Sequence, residues 1–215
     1  MTEDAKAREA ITRFAKSIFD RGLTCGSSGN ISQRLSDGTI LVTPTGSSMG
    51  FLDPAQISHL SADGQHLAGD APTKEVALHT AFYDTRTETG AVVHLHPTHS
   101  VALSMLPDID PDNVLPPLTP YTIMRLGKVK LLPFFLPGDP GMGAAVRGLA
   151  GKRSAVLLAN HGPVVAGKTL DAAVYAMEEL EENAKLAILT RSLDVIGMSD
   201  AQVAQVVRQF NVDYD

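Results

Sequence analysis

One cysteine stands in 215 residues, so Cys25 has no partner for an internal disulfide and the fold must hold without covalent staples. No apolar run approaches the roughly 20 residues that a membrane-spanning helix needs. Lys and Arg number 18 against 24 Asp and Glu, a net charge of −6, and the cations are scattered, so no basic stripe offers a footprint for nucleic acid. No repeat, low-complexity tract or linker divides the chain. The first ten residues, MTEDAKAREA, carry charge throughout and hold no apolar signal region, which makes the cytoplasm the simplest expected address. What these absences leave is one domain, residues 1–215, of a length that buries roughly 70% of its unfolded surface without a structural metal. A metal in such a chain is expected to be functional, and the expected partners are small molecules or further subunits.

The apolar residues that are present set the periods. Ile11, Phe14, Ala15, Ile18 and Phe19 repeat as one face of a helix closed by Gly22. TCGSSGNISQRL and TILVTPTG read as strands interrupted by glycine-rich turns, with SDG as a hairpin signal between them. KEVALHTAFYDT returns to helical spacing and AVVHLH to a strand. Eight of the thirteen prolines fall between Pro107 and Pro140, which predicts mostly loop with room for one short strand, KVKLLPF. SAVLLANHGPVVAG predicts two buried strands joined by a turn at His161 and Gly162. Thr169 is placed to cap a long helix with Ala173, Val174, Met177, Leu180, Ala184, Ala187 and Ile188 on its apolar face, and a last amphipathic helix starts at Ser199. The sum is an α/β domain with a mixed or antiparallel sheet.

Three of only seven histidines lie in GAVVHLHPTHS, residues 90–100. Side chains alternate along a strand, so His94 and His96 project from one side and can share a metal ion. Two hydrogen-bonded histidines on a half-exposed strand would give the same pattern. His161, just past the end of a buried strand, is either a third ligand or a turn residue. Glu75, at the start of a helix after Pro72, is either a fourth ligand or an ordinary first-turn acid. Three imidazoles and a carboxylate together match the ligand types and number of a zinc site. His79, four residues after Glu75 on one helix face, could be a ligand but reads more simply as a satisfied packing or helix-surface histidine, His99 as a hydrogen-bonding neighbour of the site on the next helix turn, and His59 and His66 as solvated loop residues.

A second group of motifs suits an anion. GSSGN at residues 26–30 and TPTGSS at 43–48 are glycine-rich turns with hydroxyls, able to offer backbone N–H groups to a phosphate, although such clusters are commonly plain loops. PTKE at residues 72–75 sets Thr73 and Lys74 at a helix start, where free N–H groups and the helix dipole favour negative charge; a surface pair between Lys74 and Glu75 is the plainer reading.

In this order and spacing, SSGNIS, TPTG, PTKE, HLHPTHS and NHG resemble the class II aldolase and adducin family, over nearly the whole chain. The resemblance implies a three-layer α/β/α sandwich around a mainly antiparallel sheet, commonly a homotetramer with sites between subunits. It implies that His94, His96 and His161 hold one Zn2+ ion, and that Glu75 ligates the resting metal or shuttles protons. It further implies that Gly29, Asn30, Thr45, Gly46 and Thr73 bind a substrate phosphate. Tyr121 falls where the aldolases keep a tyrosine proton donor, and Tyr214 lies in a tail able to cover a site. Lys74 departs from the fuculose-phosphate aldolase pattern, which has serine there.

The chemistry the resemblance implies is an enediolate formed from a small phosphorylated ketose-like substrate, with zinc stabilising the developing charge and the carboxylate handling the proton. An extra cation suits a substrate with a carboxylate, so the leading expectation is decarboxylation of a 3-oxo-tetronate 4-phosphate to dihydroxyacetone phosphate and CO2. A class II sugar-phosphate aldolase is the alternative. An epimerase of the family would carry aspartate in place of Glu75. A cupin-type iron oxygenase would place its glutamate soon after H-x-H, whereas no acid occurs between His96 and Asp108. A non-catalytic adducin-like module would be expected to lose ligands that this chain keeps.

Overall fold

The computed structural model describes residues 1–214. Eight strands form one sheet: β1 Asn30–Arg34, β2 Ile40–Val42, β3 Ser58–Leu60, β4 His66–Ala68, β5 Ala91–His94, β6 Lys130–Leu132, β7 Ala155–Leu158 and β8 Gly162–Gly167. Their spatial order is β4-β3-β2-β1-β5-β8-β7-β6, and every pairing is antiparallel except that of β6 with β7. The described residues also form seven α-helices, α1 Glu3–Asp20, α2 Val76–Thr85, α3 Thr98–Leu103, α4 Pro120–Leu126, α5 Gly141–Gly148, α6 Leu170–Thr190 and α7 Asp200–Phe210, and two short 3-10 turns. No described helix is long and apolar enough to cross a membrane.

Strand alternation makes the layers. Ala91, Val93 and Leu95 join Ile31, Leu157 and Val165 in the core under α1 and α6. Val92 joins Val156, Val164, Leu78 and Phe82 in the core under α2 and α5. The result is the expected three-layer sandwich around a mainly antiparallel sheet. His94, two residues after Val92, therefore belongs to the α2 side of the sheet.

The helix expectations at both ends match. Ile11, Ala15 and Ile18 of α1 are fully buried. The Thr169 hydroxyl caps α6 at the Ala172 amide, and Ser199 and Gln202 form a capping box at α7.

The proline-rich region differs from its prediction. Its strand is there, as β6, but α4 also lies within it. Pro120 occupies the first turn of α4, where a missing N–H costs nothing, so proline here begins a helix rather than breaking one. The glycine-rich α5 was equally invisible to periodicity, because packing overrides weak propensity. A Cβ at Gly143 would stand 2.4 Å from the Ala77 carbonyl oxygen, so glycine is what lets α5 lie so close to α2. His59 and His66 sit on β3 and β4 rather than in loops. His66 is exposed, whereas His59 is half-buried and hydrogen-bonded to Thr39.

Candidate metal centre

The chain brings His94, His96 and His161 together at one end of the sheet. His94 ends β5, His96 follows in extended chain, and His161 sits in the tight turn between β7 and β8, with Asn160 before it at a φ of 55°. The β5–β8 ladder, with His94 opposite Val164, carries that turn to the histidine pair. The Nε2 atoms of His94 and His96 are 3.1 Å apart and those of His94 and His161 3.3 Å. Ligand atoms from all three rings lie within 4.8 Å of one another.

Which nitrogen carries the proton follows from the backbone. His94 is fully buried, and its Nδ1 lies 2.8 Å from the Pro163 carbonyl oxygen, which can only accept. Nδ1 thus carries a proton, and Nε2 is the nitrogen left to ligate a metal. Burial is the main cause that holds the other two imidazoles below their ordinary range, with His96 lowered to about 3. Three ring nitrogens face one another at this spacing, with a carboxylate beside them. The donor set therefore fits a divalent metal ion.

Glu75 stands immediately before α2, at its cap position, and is buried. Its Oε2 is 3.5 Å from His94 Nε2, and its Oε1 is 3.7 Å from His161 Nε2. Burial alone would raise its carboxyl pKa, but the nearby imidazoles and a hydrogen bond from Asn30 outweigh burial and hold it below the usual range.

The three motifs expected to suit an anion also meet here. The Ile31 amide donates to the Thr43 hydroxyl at 3.1 Å, the Thr45 amide to the Ala71 carbonyl at 2.9 Å, and the Asn30 amide group to the Thr73 hydroxyl at 3.2 Å. GSSGN, TPTGSS and PTKE are thereby joined into one wall beside the histidines. Thr45 and Gly46 are exposed on it, and Gly29 is half-buried.

Asn30 has a partner that sequence reasoning missed. Its Nδ2 donates to Glu75 Oε2 at 2.7 Å, and its Oδ1 is 2.5 Å from His79 Nε2, so the side chain is committed to the carboxylate and not free for a phosphate. Lys74 is exposed and makes no ion pair with Glu75, so the surface-pair reading does not hold. Gly138 of the loop before α5 packs on the stem of Lys74.

His99 begins a helix as expected, but its ring and backbone amide bind Glu181 of α6 and no ligand histidine. Tyr121 is 59% exposed in the first turn of α4, and Tyr214 lies against Lys128 and Asn113. Neither tyrosine hydrogen-bonds to the histidines within the chain. The Pro163 carbonyl was beyond sequence reasoning too, since a main-chain acceptor leaves no side-chain signal.

A sandwich of this topology carries three histidines and a carboxylate at one sheet end, a group that could hold one metal ion. The chain belongs to the class II aldolase and adducin family: the family model described as "Class II Aldolase and Adducin N-terminal domain" matches residues 9–188. The 3-oxo-tetronate 4-phosphate decarboxylase of Escherichia coli strain K12 is 47% identical over 199 residues, covering 93% of this chain and 94% of that protein. The L-fuculose phosphate aldolase of Methanocaldococcus jannaschii is 33% identical, covering 85% of this chain and 96% of that protein. The crystal structure of YgbL from Escherichia coli superposes with a TM-score of 0.93 at 45% identity, covering 95% of this chain and 99% of that one. The chain is an enzyme of the lyase class.

Proposed function

We propose that the enzyme decarboxylates a 3-oxo-tetronate 4-phosphate to dihydroxyacetone phosphate and CO2. The observation that carries this reading is the exposed ammonium of Lys74, without an ion pair among the described residues, one residue before the buried carboxylate of Glu75. A substrate with both a carboxylate and a phosphate has use for that cation, and the 47% identical decarboxylase supports the same choice.

His94, His96 and His161 would hold the metal, with Glu75 beside it, and the preferred ion is Zn2+, one per chain, because imidazole nitrogen and carboxylate are its usual ligands. When bound, such an ion acts as a Lewis acid that draws electron density from a carbonyl. The chain's own residues do the rest. Gly29, Thr45, Gly46 and Thr73 line the wall that takes the phosphate, and Lys74 offers its ammonium to the substrate's negative charge. The bond from C2 to the carboxylate breaks, its electron pair passes toward the C3 carbonyl, and C2 then takes one proton. Glu75 manages that proton at Oε1, the oxygen not bonded to Asn30.

Tyr121, exposed on α4, would act as a proton donor only in an assembly that brings it to a site. A homotetramer with sites between subunits is the assembly we assign, and the exposed Phe134 and Leu136 in the loop beside Lys74 suit a surface that a neighbour covers. The cytoplasm remains the compartment we assign, and neither nucleic acid nor membrane is a partner.

The test is an assay of purified, zinc-loaded enzyme for CO2 and triose phosphate from a panel of four-carbon keto-acid phosphates. Release of both supports the reading. Cleavage of fuculose 1-phosphate, with no keto acid turned over, would replace it with the aldolase.

A further inference from the structure

Behind Glu75, the buried polar groups of the α2 face form a single file. Tyr83 Oη is 2.7 Å from Ser32 Oγ, and Ser32 Oγ is 2.7 Å from His79 Nδ1. His79 Nε2 is 2.5 Å from Asn30 Oδ1, and Asn30 Nδ2 is 2.7 Å from Glu75 Oε2. All five side chains are buried, Glu75 being the most accessible at 8%. The file runs between β1, which supplies Asn30 and Ser32 from alternate positions, and α2, which supplies His79 and Tyr83 four residues apart.

The direction of every bond follows from its end. An ionised carboxylate only accepts, so Asn30 must turn its NH2 toward Glu75 and its carbonyl oxygen toward His79. That oxygen also only accepts, so His79 carries its proton on Nε2. A ring with its proton on Nε2 keeps an acceptor lone pair on Nδ1, and the Ser32 hydroxyl lies at hydrogen-bonding distance from it. Ser32 therefore donates to Nδ1 and accepts from Tyr83, whose hydroxyl burial keeps protonated. Four bonds thus point one way, toward Glu75. Aligned bonds in a buried setting polarise and strengthen one another.

We propose that His79 is a positioning residue of the active site: through Asn30 it holds Oε2 of Glu75, so that Oε1 is the oxygen left free for the proton. This rests on the lyase reading above, in which Glu75 manages a proton. Both ring nitrogens of His79 are engaged, which removes it from the set of metal ligands. The file also explains why an asparagine in a phosphate-binding motif has no free amide: its carbonyl end is pinned by His79, which fixes where its NH2 points.

Ring-nitrogen NMR of the zinc-loaded enzyme with labelled histidine tests the geometry without any substrate. The signal missing from His79→Gln identifies the residue, and a protonated Nε2 with a bare Nδ1 is the expected result. The opposite tautomer, or a doubly protonated ring, overturns the proposal. The second arm measures kinetics on whichever substrate class the parent enzyme cleaves, so that a wrong substrate assignment is seen in the parent and not confused with this idea. His79→Leu should keep one metal per chain and a nearly unchanged KM, with kcat lower by about 10- to 100-fold, the range for groups that orient a metal site's ligands. His79→Gln, whose amide can still donate to Asn30, should recover most of that loss. A merely structural role would lower the melting temperature of both variants and leave kcat of the folded fraction alone, which would sink the proposal, as would loss of metal from His79→Leu. If His79→Leu does not fold, Tyr83→Phe serves instead. It keeps the ring, removes the first donor, and should lower kcat with KM and metal unchanged; an unaltered kcat there contradicts the relay.

Discussion

His94 donates its Nδ1 proton to the Pro163 carbonyl across 2.8 Å, and this turns Nε2 to within 3.1 Å of that of His96. A main-chain acceptor on β8 thereby decides what the far side of a β5 ring can do. Metal binding follows as the first prediction. His96→Ala takes one of three nitrogens from the group, and elemental analysis of the purified variant should find little metal and no activity. The fold should survive, because His96 is half-buried at the rim while both cores lie elsewhere. Full zinc occupancy in this variant would contradict the assignment.

Glu75→Gln separates proton handling from packing. The glutamine carbonyl can still accept from Asn30, so the buried contact at 2.7 Å survives while the basic oxygen is lost. Turnover should fall by about 100- to 10,000-fold, the usual weight of a positioned acid or base, with KM nearly unchanged. A plain acid at a helix start would cost less than about 1 kcal/mol of stability and leave kcat alone. Steady-state kinetics beside a thermal melt distinguishes the two.

Gly29 sets the GSSGN turn against the strand that carries His94. Its φ is +82°, and a Cβ there would meet the His94 carbonyl oxygen at 3.0 Å and the Leu95 side chain at 3.1 Å. Gly29→Ala combines backbone strain with that crowding and should destabilise by about 1–3 kcal/mol. A lower midpoint of denaturant unfolding checks it. An unchanged midpoint would mean that the turn relaxes freely and does not fix the strand.

Much of this was legible in the sequence because it is local. A strand of period two puts His94 and His96 on one side, whatever surrounds it. The apolar period of α1, the Thr169 cap and the Ser199 cap also depend on near neighbours in the chain. What sequence could not show is long-range or carried by the main chain. The ring of His94 is set by a carbonyl 69 residues away, and Asn30 is drawn from the phosphate motif to Glu75 across 45. The helices α4 and α5 were hidden for a different reason: proline, read as a loop former, starts α4, and glycine in α5, which gives no helical period, serves as a close packing contact. His99 shows the limit of motif spacing, since three residues past His96 the chain has turned toward α6 and Glu181.

Lys74 carries the choice between decarboxylase and aldolase. Its ammonium is exposed and forms no ion pair among the described residues, so its charge is available to a ligand. If it contacts a negative group of the substrate, Lys74→Ser should cost about 1.5–3 kcal/mol in kcat/KM, as for hydrogen bonds to charged groups. A charge bound equally before and during reaction raises KM alone, whereas a matching fall in kcat means that the lysine acts as the carboxylate leaves. Two substrates of equal length decide the role: a phosphorylated keto acid, and a phosphorylated ketose without the carboxylate. Damage confined to the keto acid assigns Lys74 to carboxylate recognition, the result we expect. Equal damage to both assigns it to the phosphate. No damage to either would leave the lysine as a solvated surface charge and remove the structural reason for preferring decarboxylation.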